Sequence, residues 1–304
     1  MSNLGILDFI EQNIRLDSSE ILLDGSKKLL TDIYSGYDNN PDFRKVLAVL
    51  GRGSGKTLLS YLIALYEAHL VLENSNISKD VCFISSSWAT SQNNRNACQK
   101  LISNSFDCNK YKIDISPNTF SREITIKKDD NISVNLKFYS TYKELESLKT
   151  SKIIIMNDIG SCHDYNISKI YRKASKSFIL TEANEEGSFL HNLATMENKD
   201  FKYFQLALWE MHPYLKKEDL RKQYSLLSDA EFANQFGAEF KKVKSQTISL
   251  RLSTRQIENL KAFAREYSYQ QQEDYTYIDV IKTQINDFLW QNGLEEHGHI
   301  NSLN

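Results

Sequence analysis

The sequence predicts an α/β fold, a mostly parallel sheet with helices on both faces, followed by a small strand-helix-helix module at the C-terminus. Three observations predict it. Apolar runs of four to six residues recur at 46–50, 81–84, 153–156, 177–180 and 203–208. Runs of that length mark strands buried on both faces, the condition of a parallel sheet. Between them lie segments whose apolar residues follow helical spacing, and past residue 241 the pattern changes to one alternating strand and two helices.

Taken in order, residues 5–15 and 25–35 read as helices. Val46–Leu50 reads as a buried strand, then a glycine-rich turn, then a helix to about Leu72. Val81–Ile84 is the next strand, and a helix follows from about Thr90 to Ser103. Residues 110–140 alternate: Ile113 and Ile115, then Ile124 and Ile126, then Val134, Leu136 and Phe138. These read as strands, partly antiparallel and near an edge. Ile153–Met156, Ser177–Leu180 and Tyr203–Leu208 supply the remaining buried strands. Lys241, Lys242 and Lys244 form a basic hinge over 241–246. Thr247–Leu252 then alternates with period two, Ser253 caps a helix to about Tyr267, and a second helix spans about Thr276 to Gln291. Residues 292–304 read as a tail. The domain boundaries expected are therefore 1–240, 241–246, 247–291 and 292–304.

Composition narrows the classes. The chain has 304 residues, 25% charged and 41% hydrophobic, with a net charge of −2. That is an ordinary globular balance, so any nucleic-acid contact rests on local patches. Asp8 and Glu11 near the start argue against a secretory leader, and the best apolar run is interrupted by Glu67 and His69, so no membrane span is expected. Cys82, Cys98, Cys108 and Cys162 lack C-x-x-C spacing and read as reduced thiols in a cytoplasm. His163–Asp164 reads as a surface loop, with an acid–base pair as the alternative, and His297 and His299 as tail residues, with metal binding as theirs.

The chemistry concentrates at Gly51-Arg52-Gly53-Ser54-Gly55-Lys56-Thr57. Strand, glycine turn and helix form the context of a phosphate-binding loop, with N–H groups and the helix N-terminus directed at a polyphosphate. Lys56 is expected at the β- and γ-phosphates of ATP, and Thr57 at Mg2+. The strict spacing G-x-x-x-x-G-K-[ST] places its first glycine at Leu50, so the pattern is relaxed here. A glycine turn that binds nothing is the alternative. Arg52 admits two readings, a sensor of transition-state charge and a solvated surface cation. Together these residues predict a P-loop NTPase.

Hydrolysis also needs acids at a neighbouring strand end, usually Asp-Glu. Here Ile153–Met156 runs into Asn157-Asp158. Asn157 is expected beside the metal and Asp158 beside the attacking water. The weaker electrostatics leave slow or absent hydrolysis as an alternative.

The ordered set resembles the ATPase domain of viral DNA-packaging terminase large subunits. Gly51–Thr57 is similar to that family's arginine-containing phosphate loop. Phe83–Gln92 resembles the strand and helix start that follow it, and Asn157-Asp158 stands where the family has Asp-Glu. Thr181-Glu182-Ala183-Asn184 resembles the coupling motif, with Thr181 as its catalytic contribution. Leu208-Trp209-Glu210-Met211-His212-Pro213 and Glu231–Phe240 resemble two later family segments. The family's adenine-binding glutamine has no counterpart in Leu23–Lys27, and about 60 residues after Phe240 are too few for its nuclease domain. The resemblance implies double-stranded DNA as partner and a homo-oligomeric ring. It further implies a portal, a small terminase subunit and a separate nuclease as associates, in a host cytoplasm.

Thr247–Leu289 resembles a ribbon-helix-helix domain. Ile248, Leu250 and Leu252 would face its core, while Thr247, Ser249 and Arg251 face out toward base edges. About 45 residues are too few for a stable monomer, so pairing of two copies is expected. A dimerising module that touches no DNA is the alternative. The functional expectation is an ATP-driven DNA translocase, a weak or DNA-stimulated ATPase without its own nuclease. Its rival is a non-hydrolysing ATP-binding adaptor or regulator that binds DNA through the C-terminal dimer.

Overall fold

The computed structural model describes residues 4–16, 22–35, 44–74, 79–105, 111–115, 122–140, 153–159, 162, 164–196, 201–241 and 261–262. The chain divides into two compact units. One comprises 1–222 with 231–242, the other 223–230 with 243–304. Of the second unit only 223–230 and 261–262 are described; there Leu227 N donates to Tyr224 O at 3.2 Å. Thr247, Ser249, Arg251 and nearly all of the expected C-terminal module lie outside the described residues, as do Cys108, His163, His297 and His299.

In the first unit, helices α1 (Ile6–Asn13) and α2 (Asp24–Tyr34) precede strand β1 (Arg44–Leu50). Helix α3 (Lys56–Asn74) leads to β2 (Lys79–Ser85), and α4 (Trp88–Ser105) to β3 (Lys112–Ile115), β4 (Glu123–Lys127) and β5 (Ser133–Ser140). Then come β6 (Ile153–Asn157), α5 (Asp164–Lys173), β7 (Lys176–Thr181), α6 (Phe189–Ala194) and β8 (Phe201–Leu206). Helices α7 (Leu208–Met211), α8 (Lys217–Gln223) and α9 (Asp229–Gln235) follow.

The eight strands form one sheet in the order β3-β4-β5-β2-β6-β7-β1-β8. β5, β2, β6, β7, β1 and β8 run parallel to one another, while β3/β4 and β4/β5 are antiparallel. The alternating segment 110–140 thus forms the edge the sequence predicts.

Alternation sorts each central strand onto two cores, because successive side chains leave a strand on opposite faces. Val46, Ala48 and Leu50 of β1 join Phe83, Ile155 and Phe178 in a core with α1, α2, α3 and α4. Leu47 and Val49 join Ile84, Ile154, Met156 and Ile179 in a second core that includes Ile167 and Ile170 of α5 and Leu190 of α6. Helices therefore cover both faces.

Two local expectations are corrected. Strand β8 stops at Leu206, not Leu208, because the Glu210 carboxylate accepts from Ala207 N at 2.6 Å and opens α7 instead. Asp164 is not in a loop but begins α5, and its exposed carboxylate accepts from Phe189 N at 2.8 Å. Among the described residues no helix is long and apolar enough to cross a membrane. Cys82, Cys98 and Cys162 are buried.

Candidate functional site

The C-terminal ends of β1, β7 and β6 lie side by side, with β7 in the middle. Register fixes their levels: Val49 is opposite Thr181, and Leu180 opposite Asn157. Loops leaving such ends carry the ligand sites of open parallel sheets. The phosphate-type loop leaves β1 there.

Each glycine of that loop has a separate physical reason. Gly51 is fixed by crowding: a Cβ there would press on Phe236 O and lie 2.6 Å from Leu208 N. Its N–H donates to Leu206 O at 3.0 Å, and Arg52 N donates to Gln235 O. The chain near Phe236 therefore backs the first half of the loop. Gly53 and Gly55 are fixed by conformation, at φ 85° and 80°. Those are left-handed values that a side chain rarely tolerates.

The winding leads into α3, whose first regular bond runs from Leu59 N to Gly55 O at 3.0 Å. The preceding N–H groups of the first helical turn have no carbonyl to bond within the helix, which makes the end receptive to an anion. Ser54, 1% exposed, carries a hydroxyl with no hydrogen-bond partner. His212 Nε2 lies 3.2 Å from Gly53 O on the rim.

Lys56 is buried. Its Nζ donates to Glu182 Oε1 at 3.0 Å and to Gly51 O at 3.4 Å. Thr57 is exposed, and Asn157 donates to its Oγ1 at 3.3 Å. Ser60 Oγ donates to Asn157 Oδ1 at 3.2 Å. One neutral amide thus joins the β6 end to the first turn of α3. Thr181 is fully buried, and its hydroxyl also has no partner.

Gly51, Gly53, Ser54, Gly55, Lys56, Thr57, Asn157 and Thr181 thus cluster at one end of the sheet. Two expected residues stand differently. Asp158 is exposed, with a left-handed backbone at φ 54° and its N–H on Leu180 O at 3.0 Å. Arg52 is exposed, with no side-chain partner among the described residues. Glu182 is not among the site residues the sequence predicts, although only Thr181 separates it from the apolar run Phe178–Leu180. An acid at a parallel strand end is the signal that marks it.

Among the described residues no three His, Cys, Asp or Glu side chains form a metal cluster, so a protein-only metal cage is absent there. An open depression of about 580 Å3 lies beside Cys162, Asp164, Asn184 and Glu185–Ser188. Its lining carries the carboxylates of Asp164, Glu185 and Glu186, which repel a polyphosphate.

No protein-family model matches the chain, and no curated protein does. Solved structures do. The Thermus phage P74-26 large terminase ATPase domain is 13% identical, with a TM-score of 0.50, covering 64% of this chain and 88% of that one. The large terminase of a thermophilic bacteriophage, in complex with ATP-gamma-S, is 9% identical with a TM-score of 0.54, covering 73% and 53%. The bacteriophage HK97 large terminase is 15% identical with a TM-score of 0.56, covering 79% and 55%. The chain spans about half the length of these last two proteins. The fold is that of phage large terminase ATPase domains.

Proposed function

We propose that this chain is an ATP-driven motor component of a DNA-packaging machine, binding ATP at Gly51–Thr57 and coupling its hydrolysis to movement of double-stranded DNA. The observation that carries the reading is the loop itself. Two left-handed glycines, a buried lysine and a free helix N-terminus meet where β1 ends. The shared fold supports it, and one thermophilic-phage terminase of that fold was crystallised with ATP-gamma-S.

Loop N–H groups and Lys56 would hold the β- and γ-phosphates. The unpartnered Ser54 hydroxyl fits an added acceptor. Thr57 Oγ1 would hold a magnesium ion carried by the nucleotide, with Asn157 beside it, its amide Nδ2 on that oxygen and its Oδ1 on Ser60, and no carboxylate cage competes among the described residues. When bound, magnesium supplies neutralising charge to the phosphates. Thr181, on the strand between the loop and Asn157, would couple phosphate loss to sheet movement. Arg52, exposed at the loop, is free to meet a phosphate or a neighbouring copy in a homo-oligomeric ring.

Thr247, Ser249 and Arg251 would contact DNA through a paired C-terminal module. A portal, a small terminase subunit and a separate nuclease are the partners this reading implies, in a host cytoplasm. The second reading is a non-hydrolysing ATP-binding adaptor, favoured by Asn157 where a metal-binding acid is usual.

Phosphate release with and without double-stranded DNA, compared between the natural chain and Lys56→Ala, separates the two. The motor reading expects DNA-stimulated release that Lys56→Ala abolishes. Equal background rates in both proteins, with ATP still bound by the natural chain, leave the adaptor. No ATP binding at all overturns both.

A further inference from the structure

The Lys56–Glu182 ion pair deepens the triphosphate reading and rests on it. Among the described acids of the strand ends, only Glu182 touches the loop lysine, with 3.0 Å between Nζ and Oε1. The Lys56 side chain is 8% exposed and that of Glu182 28%, so the pair is closed on the lysine side and open at the carboxylate. Glu182 follows Thr181 on β7, the strand lying between the loop strand β1 and the Asn157 strand β6. Asp158 has no such placement. It is exposed, sits on a left-handed turn and makes no ion pair among the described residues.

We propose that Glu182, not Asp158, is the carboxylate that orients and deprotonates the attacking water, and that its ion pair with Lys56 is the resting arrangement that the triphosphate opens. Lys56 donates to the β- and γ-phosphates in the bound state, and its bond to Glu182 is exchanged for one to phosphate oxygen. Glu182 is then a like charge beside the γ-phosphate. A water between the two relieves that repulsion by donating one hydrogen to each. In the chemical step the water oxygen forms a bond to the γ-phosphorus. The bond from that phosphorus to the bridging oxygen breaks, with its electron pair leaving on the diphosphate. The water proton passes to Glu182 and from there to bulk solvent. Asn157 is excluded from this role because an amide cannot accept the proton at neutral pH. The same exchange explains a lysine held by a carboxylate before substrate arrives: the pair satisfies a buried ammonium that otherwise lacks a counter-charge.

The test measures two quantities on the full-length protein, dissociation constants for a fluorescent ATP analogue and single-turnover phosphate release with double-stranded DNA. Glu182→Gln is expected to lower release by about 100-fold or more, as loss of a general base does. It is also expected to tighten nucleotide binding severalfold, because Lys56 no longer exchanges partners. Asp158→Asn is expected to lower release at least tenfold less than Glu182→Gln. A residue that only supports the loop would weaken binding and turnover together, so this split is specific. Should Glu182→Gln lower the melting temperature, Glu182→Asp keeps the charge and is expected to bind nucleotide as the natural chain does, with intermediate release. Glu182→Gln releasing phosphate at the natural rate overturns the proposal, as does Asp158→Asn giving the larger loss. A natural chain that binds the analogue but shows no turnover sinks Glu182 alone; one that fails to bind it sinks the triphosphate reading as well.

Discussion

Asn157 donates its side-chain amide to Thr57 Oγ1 at 3.3 Å, while its own Oδ1 accepts from Ser60 at 3.2 Å. Asn157 is 1% exposed, so this neutral group sets the charge at the junction of β6 and α3. An aspartate of the same shape accepts from both hydroxyls and adds a negative charge beside Thr57. In the proposed site that charge faces the nucleotide's magnesium. Asn157→Asp is therefore expected to lower the Mg2+ concentration for half-maximal nucleotide binding by about tenfold, the scale of one charge-assisted contact. Titrating analogue binding against Mg2+ checks it; an unmoved midpoint removes Asn157 from the surroundings of the metal.

Gly51→Ala and Gly55→Ala are expected to fail differently. At Gly51 the added Cβ meets backbone atoms of Leu208 and Phe236, which have no rotamer by which to yield. The cost is overpacking, about 2–3 kcal/mol of folding stability. At Gly55 nothing lies within 4 Å, and the penalty is the φ of 80° alone, about 1 kcal/mol. Urea denaturation of both variants, with nucleotide affinity measured alongside, tests the distinction. Gly51→Ala loses mainly stability, and Gly55→Ala loses mainly affinity, because relaxing φ turns loop N–H groups away. Equal destabilisation by the two would refute the separate origins of these glycines.

How much of this was legible beforehand follows from where each determinant resides. The strand, turn and helix at 46–72 were legible because periodicity and glycine placement are local. The antiparallel edge at 112–140 was legible for the same reason. The end of β8 was not, since Ala207 and Leu208 continue an apolar run, and two of the contacts that turn them into α7 are not apparent from that run. One of these is the Glu210 cap, and the other is Leu208 N on Phe236 O at 2.8 Å, which joins residues far apart in sequence. Glu182 was visible as a residue but not as a partner of Lys56. That pairing follows from β7 lying between β1 and β6, and strand order is not written in any one segment. The left-handed turn at Asp158 was equally hidden, because aspartate tolerates several backbone states.

The opposite end of the sheet holds a buried network that tests the core. Glu67 of α3 is 0% exposed and lies 3.0 Å from Lys176 at the start of β7. Tyr34 of α2 donates to the same carboxylate at 3.0 Å. Lys176→Met leaves a buried carboxylate without its counter-charge, and a loss of about 3–5 kcal/mol is expected by urea denaturation. Glu67→Leu combined with Lys176→Met removes both charges and is expected to recover most of that loss. A double variant no more stable than the single one would show that the pair itself, and not the orphaned charge, carries the stability.

Tyr34 gives this network a pH signature. Burial first, and then the charge of Glu67, hold the Tyr34 phenol well above the ordinary tyrosine range, with Arg44 opposing. A raised folded pKa means that the unfolded chain releases this proton first. The stabilisation is therefore complete below the ordinary tyrosine pKa of about 10 and declines as pH rises through the folded value. Tyr34→Phe is expected to flatten the alkaline fall of the urea midpoint above the ordinary tyrosine pKa of about 10. A fall identical to that of the natural chain would mean that Tyr34 does not contribute.

Cys98 reports whether α4 stays on its face of the sheet. It is fully buried in the core formed with α1, α2 and α3, and burial pushes its thiol up to about 12. An unfolded cysteine ionises near about pH 8.5, so the folded chain keeps a proton that the unfolded chain gives up. This contribution to stability is full below about pH 8.5 and is lost as pH rises through about 12. Only the thiolate alkylates, so two barriers, burial and protonation, protect Cys98 at about pH 9. Iodoacetamide at that pH is expected to leave the Cys98 peptide unmodified in the folded protein and to modify it fully in urea, as read by mass spectrometry. Any labelling under native conditions should follow the rate of global unfolding, since α4 shares its core with the central strands. Labelling as fast in buffer as in urea would mean that α4 opens on its own. Asn94 of that helix, which bonds both Tyr61 and Ser85, would then no longer tie it to α3 and to the end of β2.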